Sequence, residues 1–141
     1  MNIDEFIKYL ENNKIKDDMR NNKDILELLN INWRDYINLN KKKYSKECVF
    51  KNNDYELFVI SWLPKQHTQL HLHPDNGCIM RIVYGELNEI IIDNNDVKEN
   101  HYYKNNNSFM SNEYGKHIIS NINNKLAISL HLYSPPNFYN N

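Results

Sequence analysis

Over the first third of the chain, apolar positions recur at helical spacing. In IDEFIKYLENN, Ile3, Phe6, Ile7 and Leu10 fall on one face, and Asp4 sits where a helix dipole favours negative charge. DILELLNINWRDYI continues this pattern, with Ile25, Leu28 and Leu29 as its stripe, while the Asn pairs at 12–13 and 21–22 break the segments. From about Tyr44 the character changes. YELFVISWL (55–63), CIMRIVYG (78–85), LNEIIID (87–93) and KLAISLHLYS (125–134) are rich in β-branched and aromatic residues and read as strands. The turn signals PDNG, Gly85, DNND, NNN and NINN separate them. No helical pattern lies between the strands, so a parallel βαβ array is not expected. The prediction is a mainly β domain over residues 1–141, with helices (1–43) packed on a small β-barrel (44–141). In the last strand Ala127, Ser129, His131 and Tyr133 share one face, and Leu126, Ile128, Leu130 and Leu132 share the other. A polar face on an otherwise hydrophobic strand predicts a lined cavity.

Composition narrows the function classes. The 141 residues suit one core, and although mean hydropathy is −0.78, ten Tyr, five Phe and two Trp are enough to fill it. The formal net charge of −1 gives no field to attract nucleic acid or anionic lipid, and NKKK at 40–43 reads as a solvated surface run. No signal pattern or membrane-length apolar run is present. The two cysteines, Cys48 and Cys78, make no disulfide framework, so a monomer in the reducing cytoplasm is expected.

Candidate chemistry concentrates in HTQLHLHPDNGC, residues 67–78. His71 and His73 are two apart, which on a strand puts both imidazoles on one face. Such a pair suits Fe, Zn, Cu or Ni rather than Mg or Ca. By itself it reads equally as two polar residues on a solvated face. Downstream, YGKHIISN supplies Gly115, His117 and Asn121. The order HxH, Cys78, Gly85, then G-x-H-x-x-x-N resembles the two motifs of the cupin barrel. That resemblance implies one metal held by His71, His73 and His117, with Cys78 where most cupins place a glutamate.

A narrower resemblance runs from Trp33 to Pro136. SLHLYSPP (129–136), HLHPDNGCIMRIVYGELNE (71–89) and WRDYINLNKKKYSKECV (33–49) are similar to segments of the cysteine dioxygenases. The resemblance implies one Fe2+ per chain on the three histidines. It implies a Cys78–Tyr133 thioether, His131 hydrogen-bonded to Tyr133, and Tyr44 beside the substrate. Lys46 stands where the family has an arginine that grips the substrate carboxylate. An ammonium is a point charge on a flexible stem, without the fork of a guanidinium, so looser orientation of substrate is expected.

The implied activity is oxidation of L-cysteine to cysteine sulfinic acid with O2. The alternatives are a dioxygenase of another small thiol, 3-mercaptopropionate or cysteamine, or a metal-binding cupin without turnover. Partners are then a small thiol and O2, with no nucleic acid and no membrane. Residue by residue, plainer readings stand beside these: Tyr133 and His131 as a buried hydrogen-bonded pair, Cys78 as a small core residue, Lys46 as a surface lysine. Trp62, Phe58 and Ile60 read as core, Cys48 as structural, and His67 and His101 as surface.

Overall fold

The computed structural model describes residues 1–139. A helix, α1 (Ile3–Asn12), opens the chain. It starts where it does because Asn2 and Glu5 form a capping box: Glu5 N–H donates to Asn2 Oδ1 at 2.8 Å and Asn2 N–H to Glu5 Oε1 at 3.1 Å. Phe6 and Leu10 on its apolar stripe are fully buried. The second expected helix does not form. Residues 13–44 instead make four short 3-10 turns, at Ile15–Asp17, Arg20–Asn22, Ile25–Leu28 and Trp33–Tyr36. Asparagine side chains here bond local carbonyls, as Asn22 Nδ2 does to Asp18 O at 2.6 Å, and so compete with a helical ladder. The buried stripe is Ile25, Leu26 and Leu29, while Leu28 is left 40% exposed.

Eight strands follow: β1 (Ser45–Lys51), β2 (Glu56–Trp62), β3 (Gly77–Tyr84), β4 (Leu87–Asp93), β5 (Asp96–Tyr102), β6 (Asn107–Met110), β7 (Lys116–Ser120) and β8 (Ala127–Ser134). They pair as two antiparallel sheets, β1-β2-β8-β3-β6 and β5-β4-β7, rather than one closed barrel. β2, β3, β4 and β8 are the strands expected from the apolar pattern. Gly85 turns the chain from the larger sheet into the smaller one. Its φ is +72° and a Cβ there would lie 2.5 Å from Leu126 O, so any side chain is excluded. The β4–β5 hairpin closes through Asn94, whose φ of 54° asparagine tolerates.

The larger sheet has two different faces. Leu57, Val59, Ile79, Leu130 and Leu132 pack against Phe6, Leu10 and Leu26 of the N-terminal segment. The opposite face carries Ile60, Trp62, Met80 and Ile82, which meet Leu87 and Ile119 of the smaller sheet. Leu57 is fully buried between β1 and β8. Leu57→Ala is expected to cost about 2–5 kcal/mol in chemical denaturation, with metal content per folded chain unchanged. Among the described residues no helix is long and apolar enough to cross a membrane.

Candidate metal centre

His71 and His73 do not lie on a regular strand, contrary to the expectation from their spacing. The segment runs beside β7 through two isolated bridges, His67 with Ser120 and His71 with His117, rather than as a named strand, and Leu70 and Leu72 point outward, 42% and 41% exposed. The second bridge joins His71 to His117 on β7 by two backbone hydrogen bonds of 3.1 Å each. Asn112 clamps the backbone of His73 from both sides: His73 N–H donates to Asn112 Oδ1 at 2.7 Å, and Asn112 Nδ2 donates to His73 O at 3.0 Å. Gly115, with φ +104°, sends the chain into β7; a Cβ there would lie 2.4 Å from Ile92 O.

These supports bring the three imidazoles together as the sequence predicted. Ring centroids are 5.7 Å apart for His71 and His73, 4.4 Å for His71 and His117, and 4.2 Å for His73 and His117. One ring nitrogen from each lies within 4.8 Å of the others. Burial is the main cause that lowers His71 to a pKa of about 4 and His73 to about 3, with His117 the next contribution to each. Both rings are therefore neutral, the form that ligates a metal.

Tautomers follow from the partners. His71 Nδ1 faces Gln69 O at 2.7 Å, an acceptor only, so Nδ1 carries the hydrogen and Nε2 the lone pair. His117 Nδ1 faces Glu89 Oε2 at 2.7 Å with the same result. The two Nε2 atoms then approach to 2.9 Å. That spacing fits two adjacent ligands each about 2.0–2.1 Å from one ion. His73 completes the donor set: both its ring nitrogens are buried without a hydrogen-bond partner. Buried polar atoms without partners are costly, and a cation at this point would engage one of the two. The residues present fit a divalent transition metal.

A cavity of about 710 Å³ opens beside the histidines. Tyr44, Lys46, His71, Cys78, His117, His131 and Tyr133 all line it, whereas His73 is fully buried and does not reach its surface. Trp62 and Ile60, read from sequence as core, are buried and line it as well. Tyr44 stacks on Trp62 at 4.8 Å. Lys46 Nζ sits 4.7 Å above the Phe58 ring, 5.4 Å from that of Tyr139 and 5.9 Å from that of Tyr133. Among the described residues no carboxylate lies within ion-pair distance of it. Burial lowers the Lys46 pKa, against smaller opposing effects from Glu56 and Cys78.

Cys78 on β3 and Tyr133 on β8 are direct cross-strand partners and both are buried. Burial, then the nearby Glu89 charge, pushes the Cys78 thiol well up, so it stays protonated. Tyr133 also begins a chain of polar contacts along β8. Trp62 Nε1–H donates to Ser129 Oγ at 2.9 Å, Ser129 Oγ lies 2.8 Å from His131 Nε2, and His131 Nδ1 lies 3.3 Å from Tyr133 Oη. An indole only donates, so Ser129 Oγ accepts there. Burial keeps His131 neutral, so one of its two ring nitrogens donates and the other accepts, between the Ser129 and Tyr133 hydroxyls.

Two residues of the site escaped the sequence reading. Glu89, fully buried on β4, lay unremarked inside an apolar strand pattern. Tyr139 lies beyond the last strand. Its ring is 5.3 Å from that of His71 and 5.1 Å from that of Tyr133, and its hydroxyl donates to Leu72 O at 2.6 Å. No spacing signal marks a tyrosine after the final strand. Cys48 is exposed on β1. His67 is exposed, as expected, and lines the cavity, whereas His101 is half-buried.

Known proteins agree with this geometry. Rat and human cysteine dioxygenase type 1 are 28% and 27% identical to the chain over 114 residues, which is 74% of this chain and 57% of theirs. The chain thus spans little more than half the length of these relatives. A crystal structure of a protein from Thermus thermophilus superposes with TM-score 0.66 at 18% identity, covering 75% of this chain and 96% of that one. A double-stranded β-helix protein from Klebsiella pneumoniae gives 0.63 at 20% identity, covering 77% and 90%. These likenesses establish the cupin fold. The family model described as Cysteine dioxygenase type I matches residues 13–140, and the chain belongs to that family.

Proposed function

We propose that this protein is an iron-dependent thiol dioxygenase that converts L-cysteine and O2 to cysteine sulfinic acid. The observation that carries the reading is the cavity itself, which has the three-histidine cluster at its wall, through His71 and His117, beside the Lys46 ammonium and the Tyr133 phenol. An Fe2+ held by His71, His73 and His117 would lower the thiol's pKa and bring it into reach of O2. Three neutral ligands leave the ion its full charge, which favours an anionic thiolate. Lys46 receives the substrate carboxylate; its aromatic surroundings exclude water and leave that charge without a competing partner. The indole–serine–histidine chain holds the Tyr133 hydroxyl at the cavity wall. Trp62 under Tyr44 fixes the wall opposite. A Cys78–Tyr133 thioether would replace the S–H bond and one ring C–H bond by S–C, with two electrons and two protons taken up by O2. It would lock the phenol in place. The reading is of a monomer in a reducing cytoplasm, where Cys78 begins as a thiol.

A second carboxylate-bearing thiol, 3-mercaptopropionate, fits Lys46 equally, whereas cysteamine offers it nothing. Chain reconstituted with Fe2+ under anaerobic conditions is expected to consume O2 with cysteine and with 3-mercaptopropionate, and to yield the sulfinate by mass spectrometry. Failure to consume O2 with any thiol of the panel would leave only a metal-binding cupin. Tyr133→Phe is expected to keep its iron and lose turnover by about 10²-fold or more, the scale of a positioned proton donor. Unchanged turnover would reduce Tyr133 to a buried packing group.

A further inference from the structure

Of the three histidines, His117 alone is backed by a charged side chain. His71 Nδ1 meets a backbone carbonyl, and His73 meets nothing through its ring. Glu89, which backs His117, is fully buried, and both its oxygens are engaged. Oε2 accepts from His117 Nδ1 at 2.7 Å, while Oε1 accepts from Tyr102 Oη at 2.6 Å and from Asn100 Nδ2 at 3.2 Å.

Sheet register explains the arrangement. Ile91 on β4 pairs with His117 on β7, so Glu89 lies two residues along on the same face, within diagonal reach of the imidazole. On the other side, Glu89 pairs directly with Asn100 on β5, and Leu87 pairs with Tyr102. The carboxylate is therefore gripped from both neighbouring strands and cannot swing round to become a ligand itself. Every contact to the carboxylate is a donor, so it is held as an acceptor at both oxygens.

We propose that Glu89, held by Tyr102 and Asn100, is a positioning residue for the metal. It fixes the His117 ring with Nε2 facing the ion, and it returns one negative charge to an otherwise neutral donor set without occupying a coordination position. A hydrogen bond from a ligating imidazole to a carboxylate raises the basicity of the other ring nitrogen. His117 is thereby the strongest of the three donors. The inference rests on the metal-centre reading above, though not on which thiol is oxidised.

Its test is metal affinity, measured on apo chain without any thiol. Co2+ is titrated in and followed by its visible absorption in wild type, Glu89→Gln and Tyr102→Phe. Gln keeps the shape but removes the charge, and its single acceptor oxygen cannot serve His117 Nδ1 and the Tyr102–Asn100 pair at once. Co2+ affinity in Glu89→Gln is expected to fall about 10- to 100-fold. Tyr102→Phe is expected to show a smaller loss. The iron-loaded Glu89→Gln variant is expected to show a higher ferric/ferrous potential, which a purely structural role would not produce. Co2+ affinity equal to wild type in Glu89→Gln overturns the proposal, and should that variant not fold, the same result in Tyr102→Phe does so. No Co2+ binding by wild type would remove the metal centre and the inference with it. A wild type that binds Co2+ but oxidises no thiol would leave the role of Glu89 standing.

Discussion

Replacing His117 with alanine is expected to take metal content from about one ion per chain to a trace, and thiol-dependent O2 uptake with it. Two effects act together. The variant loses the Nε2 that approaches His71 Nε2 to 2.9 Å, so one of three ligands disappears. It also strips the fully buried Glu89 of its 2.7 Å partner. Removing the donor of a buried charge-assisted hydrogen bond costs about 1.5–3 kcal/mol, because the carboxylate keeps its desolvation penalty. Tyr102 and Asn100 still donate to Glu89, which places the expected destabilisation at the lower end of that range. Metal analysis of the purified variant, with a thermal melt of the apo chain, separates the two effects. Stoichiometric metal in His117→Ala would show that the imidazoles converge without sharing an ion.

The second large effect concerns Lys46. Lys46→Ala is expected to raise KM for cysteine and for 3-mercaptopropionate about 10- to 100-fold, the equivalent of a charge-assisted hydrogen bond of about 1.5–3 kcal/mol. KM for cysteamine, which has no carboxylate, should stay close to the wild-type value. Equal changes across all three thiols would take Lys46 out of the substrate site. Lys46→Arg is expected to lower KM for the carboxylates, because a guanidinium offers two parallel bonds. The same residue sets a pH dependence. Burial lowers the Lys46 pKa, so its charge is present at neutral pH and is lost, as pH rises, before an ordinary lysine would deprotonate. KM for cysteine should therefore climb in alkali beyond what thiol ionisation explains, with the cysteamine profile as the reference.

What could be read in advance follows from where side chains point. β2, β3, β4 and β8 carry mostly buried residues, and their apolar runs announced them. β5, DVKENHY, lies with most of its residues toward water, so it looked like a loop. β6 and β7 are only four and five residues long, too short to establish a period. The second expected helix breaks into two 3-10 turns, with Leu29 and Asn32 out of helical conformation between them. The clustering of His71, His73 and His117 was legible because three imidazoles at motif spacing are a rare pattern, and they converge although the segment bearing His71 and His73 is not a strand. The alternating faces of β8 correctly announced a polar wall at Ser129, His131 and Tyr133. Glu89 was hidden for the opposite reason. A lone acidic residue in LNEIIID looks like an outward-facing position, and its burial depends on Tyr102 and Asn100 of another strand.

The bridge between His71 and His117 has a consequence for the life of the chain in a cell. Residues 46 apart in sequence meet there through two backbone bonds, at the end of a seam that Lys65, Gln66 and Thr68 also make with β7 and Asn121. An ion shared by the two rings would act as a rivet at the end of that seam, and its binding free energy would add directly to the cost of opening it. Metal starvation would then shorten the protein's half-life, since a seam without its rivet opens more often and offers proteases an entry point.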